Sequence, residues 1–189
     1  AYEHLSRPDE AERTYQQAIS KRPHYAAAYN WLGGFYFRQG RYSEAEKEFS
    51  ESIHVAPDSF VAYSNLGVAY LYQGRYNDAI TQFEKSISIL PSADAYSNLA
   101  MAYFDMRQFD KAAKNYEEAV KRDDRDYEVW GNLGDAYYWT PGKRAKAAHA
   151  YETAIALAKQ KLEVNPHDAT LLGYLAVYHA MLSSKEASK

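Results

Sequence analysis

Six histidines, His4, His24, His54, His149, His167 and His179, are the first side chains to weigh for chemistry. A metal site on a helix needs ligands three or four residues apart, so that both imidazoles share one face. No two of these histidines have that spacing, and they read as solvated or edge residues. The chain has no cysteine. That removes disulfides, thiolate metal sites and cysteine nucleophiles, and it assigns no compartment. Ser, His and Asp all occur, but no G-x-S-x-G context sets a serine on a nucleophile turn. Gly33-Gly34 is not a phosphate loop, because neither G-x-G-x-x-G nor G-x-x-x-x-G-K-[ST] is present. Glu117-Glu118 and Asp123-Asp124 fall on expected solvent faces or turns. The sequence therefore predicts no catalytic residue, no metal site and no cofactor.

Side chains suited to recognition are more plentiful, and they are regularly spaced. Asn65, Asn98 and Asn132 follow one another at 33 and 34 residues, and Trp31 holds the slot 34 before the first. The elements beneath them must therefore repeat. Pro23, Pro57 and Pro91 are 34 apart, and so are Ala11, Ala45 and Ala79; Ala112 and Ala147 follow after 33 and 35. Tyr29, Tyr63, Tyr96 and Trp130 keep the same step, as do Gly33, Gly67, Ala100 and Gly134. A fixed period in this range marks a solenoid or array.

Each period resolves into two helices. In 60–91, Tyr63, Leu66, Val68, Ala69 and Tyr70 form one apolar stripe, and Tyr76, Ala79, Ile80, Phe83 and Ile87 form the next. Gly74 suits the left-handed position that ends a helix, and Pro91 cannot continue one. Each helix is expected to run about 14 residues, roughly 21 Å. Gly67 and Ala69 are expected to face the second helix of their hairpin, where small side chains let the axes approach closely. No strand pattern competes.

Tyr63, Leu66-Gly67, Tyr70, Gly74, Tyr76, Ala79, Phe83, Ser86 and Pro91 together resemble the signature of the tetratricopeptide repeat family. The resemblance implies an all-α fold, an α-solenoid of antiparallel hairpins wound into a right-handed superhelix. The repeats form a single continuous array: a partial repeat over 1–24, full repeats over 25–58, 59–92 and 93–126, an irregular one over 127–168, and a partial one over 169–189. Arg107 and Asp124 replace the turn glycine and the closing proline of the third full repeat's neighbours, so its ends are expected to be less sharp. The irregular repeat has one extra residue in its turn and seven in its second helix, which should leave a ledge near 159–165. Ala1–Leu5 aligns with the end of a first helix, and Lys185–Lys189 with the start of a second. The chain reads as a piece of a longer array whose exposed ends should be adhesive.

The resemblance also implies that the first helices line a concave groove for a peptide of a partner protein. The residues expected there are Asn30, Trp31, Phe37, Arg38, Asn65, Val68, Tyr72, Asp94, Asn98, Met101, Asp105, Glu128, Asn132, Asp135, Tyr138 and Trp139. Val61, Ser64 and Leu71 share the same inner slots. An asparagine offers two donors and an acceptor. The row reads either as a ladder gripping a peptide backbone or simply as a residue common in that slot. The groove should be apolar and aromatic at its N-terminal half and acidic at its C-terminal half, suiting an apolar or basic segment. Lys and Arg are scarce in these slots, which argues against gripping the acidic tails of chaperones.

Composition narrows the partner further. Formal net charge is −3, with 22 Lys and Arg against 25 Asp and Glu, and a nucleic-acid partner would call for a basic stripe. No apolar run approaches the ~18 residues of a membrane span. Two other roles compete with peptide binding: a self-assembly module acting through the array ends and the ledge, and a regulatory tail on a larger bacterial signalling enzyme or regulator.

Overall fold

The computed structural model describes residues 7–183. Ala1–Leu5 and Lys185–Lys189, for which partial helices are expected, lie outside the described residues. Ten helices occur among the described residues, and no strand does: α1 (Pro8–Lys21), α2 (Ala26–Arg38), α3 (Tyr42–Val55), α4 (Phe60–Tyr72), α5 (Tyr76–Ile89), α6 (Ala93–Asp105), α7 (Phe109–Arg122), α8 (Tyr127–Trp139), α9 (Arg144–Val164) and α10 (Ala169–Ser183). The chain divides into two compact units, Ala1–Pro91 and Ser92–Lys189. In the first, α1 packs on α2, α2 pairs with α3, α3 packs on α4 and α4 pairs with α5. In the second, α6 pairs with α7, α7 packs on α8, α8 pairs with α9 and α9 packs on α10.

The hairpins close on one seam. A Cβ built on Gly33 would lie 2.6 Å from Phe49, one on Gly67 2.5 Å from Phe83, and one on Gly134 2.6 Å from Tyr151. The glycine makes room for a ring that comes from the paired helix, as the spacing predicts. Ser52 and Ser86, both fully buried, donate from Oγ to the backbone oxygens of Ala26 and Phe60 at 3.0 and 2.9 Å. These bonds tie the end of each second helix to the start of the first and satisfy the buried hydroxyls.

The turns follow one plan. Gly40 and Gly74 have φ of 72° and 73°. Gly40 N donates to Phe37 O and Arg41 N to Tyr36 O, both at 2.9 Å. This paired bonding uses up the last carbonyls of the helix. The third turn corrects an expectation. Arg107 takes φ 57° in place of glycine, and Gln108 N still reaches Tyr103 O at 2.8 Å. Consequently α6 and α7 have 13 and 14 residues, like α4 and α5, and their ends are equally sharp. Left-handed geometry at a non-glycine residue costs roughly 1–2 kcal/mol, which the turn absorbs to keep its hydrogen bonds.

The α9 helix runs 21 residues, seven more than the 14 of α5. Its last turns cover α8: Lys161 Nζ lies 4.7 Å from the centre of the Tyr127 ring, and Leu162 packs against the core of the second unit. Val164 at its tip is 88 % exposed. No helix among the described residues is long and apolar enough to cross a membrane.

Candidate functional site

In the first unit, α2 and α4 present the side chains that the repeat framework does not consume. Asn65 Nδ2 donates to Asn30 Oδ1 at 2.9 Å. This bond forms part of the wall of a pocket of about 310 Å³. Trp31, Phe37, Arg38 and Val68 complete that wall, with Tyr15, Gly34 and Phe49 behind them. Trp31 is half exposed and meets the edge of Tyr25 at 5.7 Å. The Arg38 guanidinium lies across Gly34, where a Cβ would come within 3.3 Å of it. Beyond the pocket, Phe37, Tyr42 and Tyr72 form a three-ring cluster, with centroids 5.0 to 5.5 Å apart. Leu71 is buried and does not face this surface.

The second unit repeats the ring cluster 67 positions later, as Phe104, Phe109 and Trp139. Phe109 lies 5.2 Å from Phe104 and 5.9 Å from Trp139. A pocket of about 350 Å³ opens there, bordered by Asp105 and Arg107. Asp105 occupies the position that Arg38 holds in the first unit, and Arg107 occupies that of Gly40, so an acid and a base both border these rings. Tyr138 meets the Trp139 edge at 5.3 Å and carries Arg144 over its face at 4.7 Å.

The remaining expected residues lie on α6 and α8. Asp94 and Asn132 are exposed, and Asn98 and Met101 are half-buried. Two of the acids already have phenol partners. Asp135 accepts from Tyr151 Oη at 2.5 Å, and burial raises its carboxyl above the ordinary aspartate range despite that bond. Glu128 accepts from Tyr127 and Tyr174 at 3.0 and 3.1 Å. Asp94 and Asp105 are exposed. His24, His54, His149, His167 and His179 are all exposed, and His4 lies outside the described residues. No grouping of three potential metal ligands occurs among the described residues.

Tyr42, Phe109 and Arg107 were not among the expected site residues. Tyr42 and Phe109 hold the signature position that opens each second helix, so their spacing marks them as framework. Arg107 was legible as an oddity, being the one turn of the full repeats in which glycine is replaced.

Hairpins repeated at this period, with asparagines and rings on their first helices, define a helical repeat protein of the kind that displays a surface to partners. Tetratricopeptide repeat profiles match residues 24–92, 93–126 and 127–161. The chain belongs to the tetratricopeptide repeat family, whose members serve in general as protein-interaction scaffolds. Solved structures share the fold. A crystal structure of MamA is 24 % identical, with a TM-score of 0.77 over 86 % of this chain and 95 % of that one. TTC0263 of Thermus thermophilus is 20 % identical, with a TM-score of 0.69 over 95 % and 92 %. YrrB, described as a TPR protein with an unusual peptide-binding site, is 18 % identical, with a TM-score of 0.66 over 88 % and 82 %. No curated protein matches the chain.

Proposed function

We propose that the chain is a non-catalytic scaffold that binds an extended peptide segment of a partner protein on the face of its first helices. The observation that carries this reading is the Asn65–Asn30 bond at 2.9 Å in the wall of the α2/α4 pocket. Each side chain orients the other. The bond uses one amide hydrogen of Asn65 and the oxygen of Asn30. The Asn65 oxygen and the Asn30 amide group then suit the N–H and C=O of a peptide backbone. Such contacts hold a strand without reading its side chains.

Selectivity comes from what surrounds the pair. The rings of Phe37, Tyr42 and Tyr72 form an apolar seat in the first unit, and Phe104, Phe109 and Trp139 form one in the second. Tyr72 and Trp139 are the exposed members of these seats, and exposed aromatic side chains make interface anchors. On the second unit, Asp94 favours basic residues in a bound segment, mostly through association rate and selectivity, while Asp105 shares its pocket with Arg107. The peptide-binding site named for YrrB supports this use of the fold.

The test is a titration with an array of synthetic ten-residue peptides rich in aromatic and basic residues. For the tightest peptide, Asn65→Ala and Asn30→Ala should each weaken binding by about threefold to tenfold, the value of a hydrogen bond or two. Undiminished binding in both variants removes the asparagine role.

A further inference from the structure

Trp130, Leu133 and Tyr137 stand at i, i+3 and i+7 on α8, on the side turned away from Asn132 and Trp139. They floor a separate depression of about 550 Å³ between α7 and α9. That volume lies in the range of small-molecule sites, roughly 300–1,000 Å³. Its lining is marked in the sequence. In register with Ala45, Ala79, Ala112 and Ala147, Ala150 stands where the other copies have Glu48, Gln82 and Asn115. Ala145 likewise stands where they have Ser43, Asn77 and Asp110. Two alanines on α9 thus line the depression at positions where the second helices of the other full repeats carry polar side chains.

The floor is held by a hydrogen bond of the kind that Tyr29 Oη makes to Pro23 O at 3.0 Å in the first full copy. Trp130 replaces a tyrosine, and its Nε1 donates to Asp124 O at 2.8 Å. Leu133 is buried beside it, and Val120 closes the α7 side. The rim carries Lys121 and Lys146 against Glu117. Glu117 already accepts from Tyr137 Oη at 2.7 Å, and Lys121 pairs with Glu118 at 2.6 Å. Lys143 and Lys146 sit over the Tyr137 ring, 5.8 and 5.5 Å from its centre. A cationic ligand would meet these lysines. An anion would be drawn to them, above all to Lys146 at the rim.

We propose that this depression binds a small aromatic carboxylate, its ring over Trp130 and Leu133 and its carboxylate held by Lys146. The site is distinct from the peptide face, and its test does not depend on that face. The probe is 2-naphthoate, with neutral 2-naphthamide as the control, titrated into the ¹⁵N-labelled full chain. The Trp130 indole N–H signal is assigned as the one missing from Trp130→Phe, and Trp31 and Trp139 serve as internal controls.

The expected result is a saturable shift confined to Trp130, with the carboxylate bound about fivefold or more tighter than the amide. Lys146→Gln removes that preference. Ala145→Gln restores a longer side chain at an exposed position and weakens both ligands about tenfold, with the far-ultraviolet dichroism unchanged. A shift that does not saturate, equal shifts of all three indoles, equal affinity for acid and amide, or unchanged binding to Ala145→Gln overturns the proposal.

Discussion

A methyl group added at Gly67 would lie 2.5 Å from Cε1 of Phe83, closer than packed carbons approach. Phe83 is fully buried and has no open space into which to retreat. The same contact recurs as Gly33 on Phe49 and Gly134 on Tyr151, so a single residue pair sets how near the two helices of a hairpin come. The pair can be perturbed from either side. Gly67→Leu overpacks the seam and should cost on the order of 1–3 kcal/mol. Phe83→Ala leaves a cavity and should cost about 3–5 kcal/mol. Urea denaturation reads both as lower midpoints. Midpoints equal to that of the unaltered chain in both variants would show that the ring and the glycine do not hold the hairpin together.

Between elements, a recurring device is a basic residue just before α3, α5 and α9 that reaches back to the preceding second helix; Gln108 holds that place before α7. Arg41 Nη1 donates to Glu12 on α1 at 2.8 Å and stacks on Tyr36 at 4.2 Å, while Tyr36 Oη donates to the same carboxylate at 2.9 Å. Arg75 repeats this with Glu46 and Tyr70, and Lys143 bonds Asp110 at 3.0 Å. The Arg41 hydrogen bond holds the Glu12 carboxyl below the ordinary glutamate range, against the opposing effect of burial. A lowered folded value means that the stabilisation is complete above the ordinary value near 4.3 and fades as pH falls through the lowered one. Glu12→Gln should therefore cost on the order of 0.5–1 kcal/mol at pH 7, a modest amount because the pair is part exposed. It should cost little or nothing near pH 2. If urea midpoints at both pH values show the same difference between the two proteins, the carboxylate is not the source.

Much of this level was legible in the sequence. Gly74 and Pro91 marked the helix ends, and the 42-residue step from Asp124 to Pro166 gave α9 its extra turns. The sharp third turn was not, because backbone hydrogen bonds there outweigh the strain at Arg107. Asn65 stood out by its spacing, but its bond to Asn30, one position off the row, depends on how neighbouring helices cross, which spacing does not encode. The depression between α7 and α9 was not legible, because it depends on how three helices pack around Trp130, Ala145 and Ala150.

At the scale of the chain, the two compact units correspond to two separate cores. One gathers Phe35, Phe49 and Leu66 with residues of α1 to α4; the other gathers Tyr116, Leu133, Tyr151 and Leu175 with residues of α6 to α10. Each hairpin also carries its own seam and its own turn within its unit. Chains on the order of 90 residues bury enough surface to fold without a disulfide or a metal. Residues 1–91 and 92–189, produced separately, should each give a helical far-ultraviolet spectrum and a sigmoidal thermal melt. The two spectra, weighted by length, should add to that of the intact chain. A fragment with a coil spectrum would show that its core depends on the rest of the chain, whatever its internal packing. If both fold, the peptide face around Asn30 and Asn65 and the carboxylate site around Trp130 and Lys146 can each be assayed in a fragment that lacks the other. Binding of 2-naphthoate by residues 1–91 would then count against the α7/α9 site as directly as any substitution within it.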